Sequence, residues 1–304
     1  MATHKQPKSN IELSIIILSY NTADLTKLTI ESIFQSIPSY LKYEIIVFDN
    51  NSTDASVPTL KKLENNHSNL TLIESKENRG FSKGNNKAAL HAKGEYLLFL
   101  NSDIIVIDNA IDTLLRYYKQ NKDAQFVGGK LLNNNNTPQS STGPFYSLPV
   151  IFGALFLKGD YWGLTRRSPH NSMKTDWVSG ACLLTKKDLF EKLGGFDEAL
   201  FMYMEEIDLL YRAKLQGFHT YFCADAKFIH LGSASSQGKT YPILQVYKGF
   251  LYFYHKHHSV QAISLLKGML QLKAEMSIWI GKLTQNRYLL DTYEKAKSIL
   301  TMAR

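Results

Sequence analysis

At 304 residues, with 44% hydrophobic and 20% charged content and a formal net charge of +8, the chain can bury one large core and append a smaller module, which excludes a disordered or fibrous protein. Its two cysteines, Cys182 and Cys223, stand in apolar strand-like contexts and read as reduced packing residues of a cytoplasmic protein, not as a disulfide framework. Residues 1–10 are polar and basic without an apolar stretch, so they are expected to form a flexible tail and neither a signal peptide nor a membrane span.

Ile15-Ile16-Ile17-Leu18 reads as a fully buried strand that stops at Ser19-Tyr20-Asn21. A helix is expected over 24–36, where Leu25, Leu28, Ile33 and Phe34 fall at helical spacing. Glu44 to Phe48 is a second buried strand, ending in Asp49-Asn50-Asn51-Ser52-Thr53-Asp54. Asn78-Arg79-Gly80-Phe81 turns into a helix over 82–93, and Glu95 to Leu100 is a third strand, ending in Asn101-Ser102-Asp103. Three buried strands that each end in Asn, Asp or Ser place their polar tips on one edge of a parallel sheet, where open α/β sheets bind ligands. Another helix is expected over 108–119 from Ile111, Leu114 and Leu115. The alternation predicts an α/β fold: a mainly parallel central sheet with right-handed crossovers and helices on both faces. The run Asn133-Asn134-Asn135-Asn136-Thr137-Pro138 begins a long irregular stretch reaching Asp176, the kind of segment that serves as a lid or acceptor loop.

Gly194-Gly195-Phe196-Asp197 forms a turn ahead of a helix that opens on Glu205-Glu206-Ile207-Asp208, with Leu209, Leu210 and Leu215 as its apolar face and Gly217 at its end. Carboxylates clustered at a helix N-terminus are stabilised by the dipole, and their repulsion can raise one pKa enough to make a proton acceptor. The plainer alternative is a solvated, acid-rich first turn. Asp208 and Arg212, at (i, i+4) spacing, suit an ion pair that stiffens the helix. Residues 241–304 hold nine Lys or Arg against three Asp or Glu, which is +6 of the formal +8. There Leu265, Leu266, Met269, Leu270, Trp279 and Ile280 are interrupted by Lys267, Lys273 and Glu275, too charged for a spanning helix but suited to a membrane interface. The alternative is a pair of helices packed on the domain or on a second subunit of a homodimer. These basic residues are spread along helices without a recognition motif, which argues against nucleic acid as partner.

Ser19-Tyr20-Asn21, the 49–54 turn, Asn78-Arg79-Gly80-Phe81 with Asn85, Asn101-Ser102-Asp103, Trp177-Val178-Ser179-Gly180-Ala181, Gly194 to Glu198 and the Glu205 to Asp208 block together resemble the ordered motifs of glycosyltransferase family 2. The rhamnosyltransferase-type enzymes of bacterial cell-surface polysaccharide assembly are the branch it resembles most, over roughly residues 11 to 235. The resemblance implies a GT-A domain over 11–238 and leaves 239–304 as a basic amphipathic helical extension. It implies a nucleotide-sugar donor and a glycan or lipid-linked acceptor, with the enzyme cytoplasmic or peripheral at the inner face of the membrane. Ser19, Tyr20, Asn21 and Asp49 would hold base and ribose, with Asn51 and Ser52 shaping that turn, and Asn78, Arg79 and Gly80 would close over the nucleotide. Asn85 would pin the next helix, although Asn78 and Asn85 equally suit caps and turns. Trp177, Ser179 and Gly180 would border the donor sugar, with core packing as the alternative for Trp177. Asn101, Ser102 and Asp103 stand where relatives carry two carboxylates, so Asp103, His230 and diphosphate oxygens would share a Mg²⁺ or Mn²⁺ ion. His230 following a short apolar strand also suits a hydrogen-bonded structural residue. Ser233, Ser235 and Ser236 would form a loop ordered by donor. Glu206 matches the base of an inverting transfer, with Glu205 in reserve. A nucleotidyltransferase would need a Gly-rich phosphate loop that Tyr20-Asn21-Thr22-Ala23 lacks, and a non-catalytic nucleotide-sugar-binding protein would not need Glu206.

Overall fold

The computed structural model describes residues 10–232 and 240–302. The tail through residue 9, the Ser233, Ser235 and Ser236 loop, and the expected boundary at 238 lie outside the described residues. In chain order the first half consists of β1 (Leu13–Ser19), α1 (Ala23–Ser36), β2 (Tyr43–Asp49), α2 (Ser56–Asn66), β3 (Leu70–Glu74), α3 (Gly80–Ala89), β4 (Tyr96–Asn101), β5 (Ile104–Val106), α4 (Ala110–Gln120) and β6 (Phe126–Leu132). The rest consists of β7 (Thr142–Gly143), α5 (Leu148–Phe156), β8 (Met173–Thr175), β9 (Trp177–Val178), β10 (Cys182–Lys186), α6 (Lys187–Lys192), α7 (Glu205–Leu215), β11 (Thr220–His230), α8 (Thr240–His257), α9 (Val260–Leu283) and α10 (Arg287–Met302).

The nine-stranded sheet runs β3-β2-β1-β4-β10-β6-β11-β5, with β8 on β11. β3, β2, β1 and β4 are parallel, as the continuous apolar runs predict, and β10 is inserted antiparallel between β4 and β6. Alternation along the strands divides the interior into two layers. Ile15, Ile17, Ile45, Val47, Leu98 and Leu100 face Ile30, Ile33, Leu60 and Leu114 of α1, α2 and α4. Ile16, Ile46 and Phe99 face the opposite layer, with Phe190, Leu209 and Phe253. Both cysteines are free and buried, as their contexts predict. The stretch from 133 to 176, expected to be irregular, instead contains β7, α5 and β8; Pro149 in the first turn of α5 fits a helix start because its missing N–H would be unpaired there anyway.

The C-terminal helices belong to the second layer. Tyr247, Phe250, Phe253 and Tyr254 of α8 are buried in the same core as Leu209 and Leu210 of α7. α9 buries Ile263, Leu266, Leu270, Ala274, Ser277 and Gly281, a stripe at three- and four-residue spacing. A second stripe of Leu265, Leu272, Met276, Trp279 and Leu283 stays exposed. Leu266, grouped with Trp279 on sequence alone, therefore faces inward while Trp279 faces outward. Among the described residues no helix is long and apolar enough to cross a membrane.

Asp208, fully buried, ties α7 to α8. Its carboxylate accepts from Arg212 Nε at 2.7 Å, as the (i, i+4) spacing predicts, and also from Lys256 Nζ at 3.0 Å and His257 Nε2 at 2.7 Å. Arg212 in turn donates to the carbonyls of Leu193 and Gly195, and Lys256 reaches Asp197. Removing one member of such a group leaves buried charge uncompensated, so Asp208→Ala is expected to destabilise the fold by about 3–5 kcal/mol. Chemical denaturation followed by tryptophan fluorescence and circular dichroism checks this; a loss within about 0.5 kcal/mol, the usual range for a surface substitution, would mean that the group contributes nothing.

Candidate active site

The strand register brings the first three motifs together. Ser19 pairs with Asp49 and Leu18 pairs with Asn101, so the polar ends of β1, β2 and β4 lie side by side. Asn21 and Asn51 adopt left-handed backbone, at φ of 53° and 66°, which asparagine tolerates better than most residues. The Asn21 amide donates to Ser52 Oγ at 2.9 Å, and Asn21 Oδ1 accepts from the Thr53 amide at 2.8 Å, lacing the two loops together. Asp49 Oδ2 accepts the Ser52 amide at 2.9 Å, while Asp49 Oδ1 is buried without a partner, an acceptor left over for a ligand's donor. Tyr20 is half-buried at this edge. The Ser19 hydroxyl instead turns inward to share a hydrogen bond with Thr26 at 3.1 Å.

The second motif is clamped by Asn50. Its Nδ2 donates to Asn78 Oδ1 at 2.8 Å and its Oδ1 accepts from the Arg79 amide at 2.7 Å. Gly80 has φ of +73°, and a Cβ there would lie 2.5 Å from the Phe201 carbonyl oxygen, which accepts the Phe81 amide at 2.6 Å. Glycine is required both for the backbone conformation and for this approach. The Arg79 guanidinium pairs with Glu77 at 3.1 Å. Asn85 is buried and donates to the Phe81 carbonyl of its own helix, as a structural residue would.

At the end of β4, the Asn101 amide donates to the Ala181 carbonyl, and the Ser102 hydroxyl accepts from Thr22 Oγ1 at 3.3 Å. Asp103, nearly buried, places Oδ1 3.3 Å from Nε2 of His230, the last residue of β11. The imidazole Nδ1 lies 2.7 Å from Gln139 Oε1. An anionic oxygen beside an imidazole nitrogen is a donor set that Mg²⁺ or Mn²⁺ accepts when other oxygens complete it. Among the described residues no cluster of three or more His, Cys, Asp or Glu could hold a metal ion, and this corner brings together two such side chains.

The carboxylate pair starts α7 after two consecutive left-handed residues, Tyr203 at φ 67° and Met204 at φ 75°. Glu205 is buried and Glu206 is half-buried, and each has one enclosed oxygen, Oε2, without a partner. Burial pushes both carboxyls above the ordinary glutamate range, with repulsion from Glu206 adding to the rise at Glu205. Glu206 lies against Gly180, where an added Cβ would be 3.5 Å from the Glu206 Cβ, and the Gly180 amide and the Arg166 guanidinium draw its pKa partly back. Arg166 also stands 5.8 Å from the Trp177 ring. Trp177 itself is a core residue, donating Nε1–H to the Pro144 carbonyl at 2.8 Å, and Ser179 Oγ accepts from the Ala181 amide. The 179–182 turn therefore joins the two halves of the site: Gly180 adjoins Glu206 and Ala181 binds Asn101.

Sequence reasoning missed Asn50, Gln139 and Arg166. Asn50 stood inside a motif already singled out, and its position directly after a buried strand was the available signal. Gln139 and Arg166 lie in the stretch expected to be irregular and carry no local signal.

Residues 14–192 match the family model described as Glycosyl transferase family 2. The chain is 29% identical over 243 residues to the O-antigen biosynthesis protein RfbC of Myxococcus xanthus, covering 76% of this chain and 18% of that protein. It is 28% identical over 227 residues to the rhamnosyltransferase WbbL of Escherichia coli K12, covering 71% of this chain and 82% of that one. The solved structure of the mannosyltransferase PcManGT from Pyrobaculum calidifontis in complex with GDP-Man and Mn²⁺ superposes with a TM-score of 0.57 at 16% identity, over 98% of this chain and 89% of that one. GalNAc-T7 with UDP, GalNAc and Mn²⁺ superposes with a TM-score of 0.58 at 14% identity, over 80% of this chain and 50% of that one. These neighbours show the GT-A fold, and with more than half of its residues matched by the family model the chain belongs to glycosyl transferase family 2.

Proposed function

We propose that the chain is an inverting glycosyltransferase that moves a sugar from a nucleotide-diphosphate donor, dTDP-rhamnose or a UDP-sugar, to a glycan or lipid-linked acceptor in cell-surface polysaccharide synthesis. The observation that carries this reading is Glu206, half-buried against Gly180, with its pKa raised by burial. In the reaction the acceptor hydroxyl oxygen bonds to the anomeric carbon on the face opposite the diphosphate. Glu206 takes the hydroxyl proton, and the bond to the diphosphate breaks with inversion. The unpartnered Asp49 Oδ1 supports a nucleobase or ribose donor bonded at the β2 edge. Asp103 and His230 would hold a divalent cation, which supplies positive charge to the leaving diphosphate when bound. Relatives named for O-antigen biosynthesis and rhamnosyl transfer support the polysaccharide setting.

Glu206→Gln is expected to leave binding of the nucleoside diphosphate nearly intact while lowering transfer at least roughly 10²-fold, the usual loss for a general base. A base with a raised pKa is ionised only above that value, so the acid limb of kcat/KM is expected above the ordinary glutamate pKa of about 4.3, with activity lost as pH falls through it. Near-normal turnover in Glu206→Gln, with the loss in Glu205→Gln instead, would move the role by one residue.

Two protein ligands are too few to fill an octahedral shell, so UDP or dTDP is expected to bind more tightly with Mn²⁺ present than without it, and Asp103→Ala is expected to remove the difference. Calorimetric titrations with and without the ion measure this. Equal affinities in both, unaffected by Asp103→Ala, would refute the metal assignment.

For a lipid-linked acceptor, the exposed stripe of Leu272, Met276, Trp279 and Leu283 beside Lys282 is proposed to rest on an anionic membrane surface. Nearby cations each contribute about 1 kcal/mol at such a surface and are screened by salt. Flotation with anionic liposomes at low and high salt is expected to carry the full chain upward at low salt only, and Trp279→Ser with Leu283→Ser is expected to weaken attachment without altering nucleotide binding. A full chain that stays in the soluble fraction at both salts would leave this stripe to a subunit interface.

A further inference from the structure

The loop opened by the asparagine run carries a chain of hydrogen bonds that ends on His230, and each bond fixes the polarity of the next. Thr137 Oγ donates to Asn135 Oδ1 at 2.6 Å, so the same oxygen is free to accept from Asn133 Nδ2 at 2.9 Å. With its amide nitrogen turned to Thr137, Asn133 presents Oδ1 to Gln139, whose Nε2 donates to it at 3.1 Å and to the His230 carbonyl at 3.4 Å. Both acceptors hold the amide nitrogen of Gln139 on one side and leave Oε1 aimed at His230 Nδ1, 2.7 Å away. A carbonyl oxygen only accepts, so Nδ1 must carry a proton.

The other ring nitrogen has the opposite requirement. Nε2 lies 3.3 Å from Asp103 Oδ1 and 3.4 Å from Asn101 Nδ2. A neutral imidazole has one N–H, and two acceptors compete for it: Gln139 Oε1 at Nδ1 and Asp103 Oδ1 at Nε2. Were the proton on Nε2, it would be spent on Asp103 and the nitrogen would be closed to a metal. The shorter contact is the one to Gln139, and Asn101 Nδ2, a donor, suits a lone pair on Nε2. Metal-bound histidines generally donate their second N–H to a fixed acceptor, which sets the tautomer and strengthens the ligand.

We propose that Gln139, oriented by Asn133 and Thr137, is a positioning residue that holds His230 in the Nδ1–H tautomer, so that Nε2 is presented beside Asp103 as a ligand for the divalent cation bound with the donor's diphosphate. The proposal rests on the metal reading of Asp103 and His230. The tautomer itself is a property of the metal-free chain, and it can be tested separately.

The test uses the full chain with three substitutions: Gln139→Met, of similar length without an acceptor; Gln139→Glu, which keeps the acceptor; and Asn133→Ala, at a half-exposed loop position. Long-range ¹H–¹⁵N spectra of the imidazoles, with His230 assigned from His230→Ala, are recorded without metal at roughly pH 8.5, about two units above the ordinary histidine pKa. Mn²⁺ binding, alone and with UDP or dTDP, is followed by electron paramagnetic resonance. His230 is expected as Nδ1–H in the unsubstituted chain and in Gln139→Glu, and shifted toward Nε2–H in Gln139→Met and Asn133→Ala. Mn²⁺ affinity is expected to fall roughly 10–100-fold in Gln139→Met and to be retained in Gln139→Glu. An Nε2–H tautomer in the unsubstituted chain, or an unchanged tautomer in both Gln139→Met and Asn133→Ala, would overturn the proposal, as would a changed tautomer with unchanged Mn²⁺ affinity. If His230→Ala binds Mn²⁺ like the unsubstituted chain, the metal reading fails; if only His230→Ala weakens binding, the positioning role alone fails.

Discussion

The placement of the carboxylate pair depends on the buried charge of Asp208. An anion enclosed in a protein core is tolerable only with partners close by, and Asp208 gathers three: Arg212 from its own helix and Lys256 and His257 from α8. Arg212 extends the link to the carbonyls of Leu193 and Gly195, at the turn where the chain leaves α6. The start of α7 is thereby held from both sides, and it needs to be, because Tyr203 and Met204 before it are both in left-handed backbone. Non-glycine residues in that region cost about 1–3 kcal/mol each and persist only where surrounding contacts enforce them. α8 takes part in that enforcement: Gly249 packs so closely that a Cβ there would lie 2.6 Å from Met204 Cγ. Helix α8 is therefore part of what holds the start of α7, with Glu206 against Gly180.

Strands β1, β2 and β4 and their polar tips were legible in the sequence because burial on both faces leaves a continuous apolar run, and the residue that ends the run marks the sheet edge. Ser19, Asp49 and Asn101 come out side by side for that reason alone. The Asp208–Arg212 pair was legible because (i, i+4) spacing is local. Its partners on α8 were not, since nothing near Lys256 or His257 says that they meet a carboxylate 48 and 49 residues earlier. The same holds for Asn50, whose partner Asn78 is 28 residues away, and for Gln139, whose partner is 91 residues away. α5 was missed because Leu148 to Phe156 is apolar on nearly every side, and a run without polar positions has no period to read.

Glu205 and Glu206 show how a pair of like residues can be given different environments. A helix N-terminus favours ionised carboxylates, yet both pKa values move up, so desolvation outweighs the dipole here. The rise at Glu205 includes repulsion from its neighbour, whereas at Glu206 four influences oppose it: its own backbone amide, Arg166, the Gly180 amide and the Ile207 amide. In such a pair the ionisation of one carboxyl opposes that of the other, so the two protons leave in steps that belong to the pair. Of the two, Glu206 is the more exposed and the one that lies against Gly180, which supports the proton-accepting role proposed for it over Glu205.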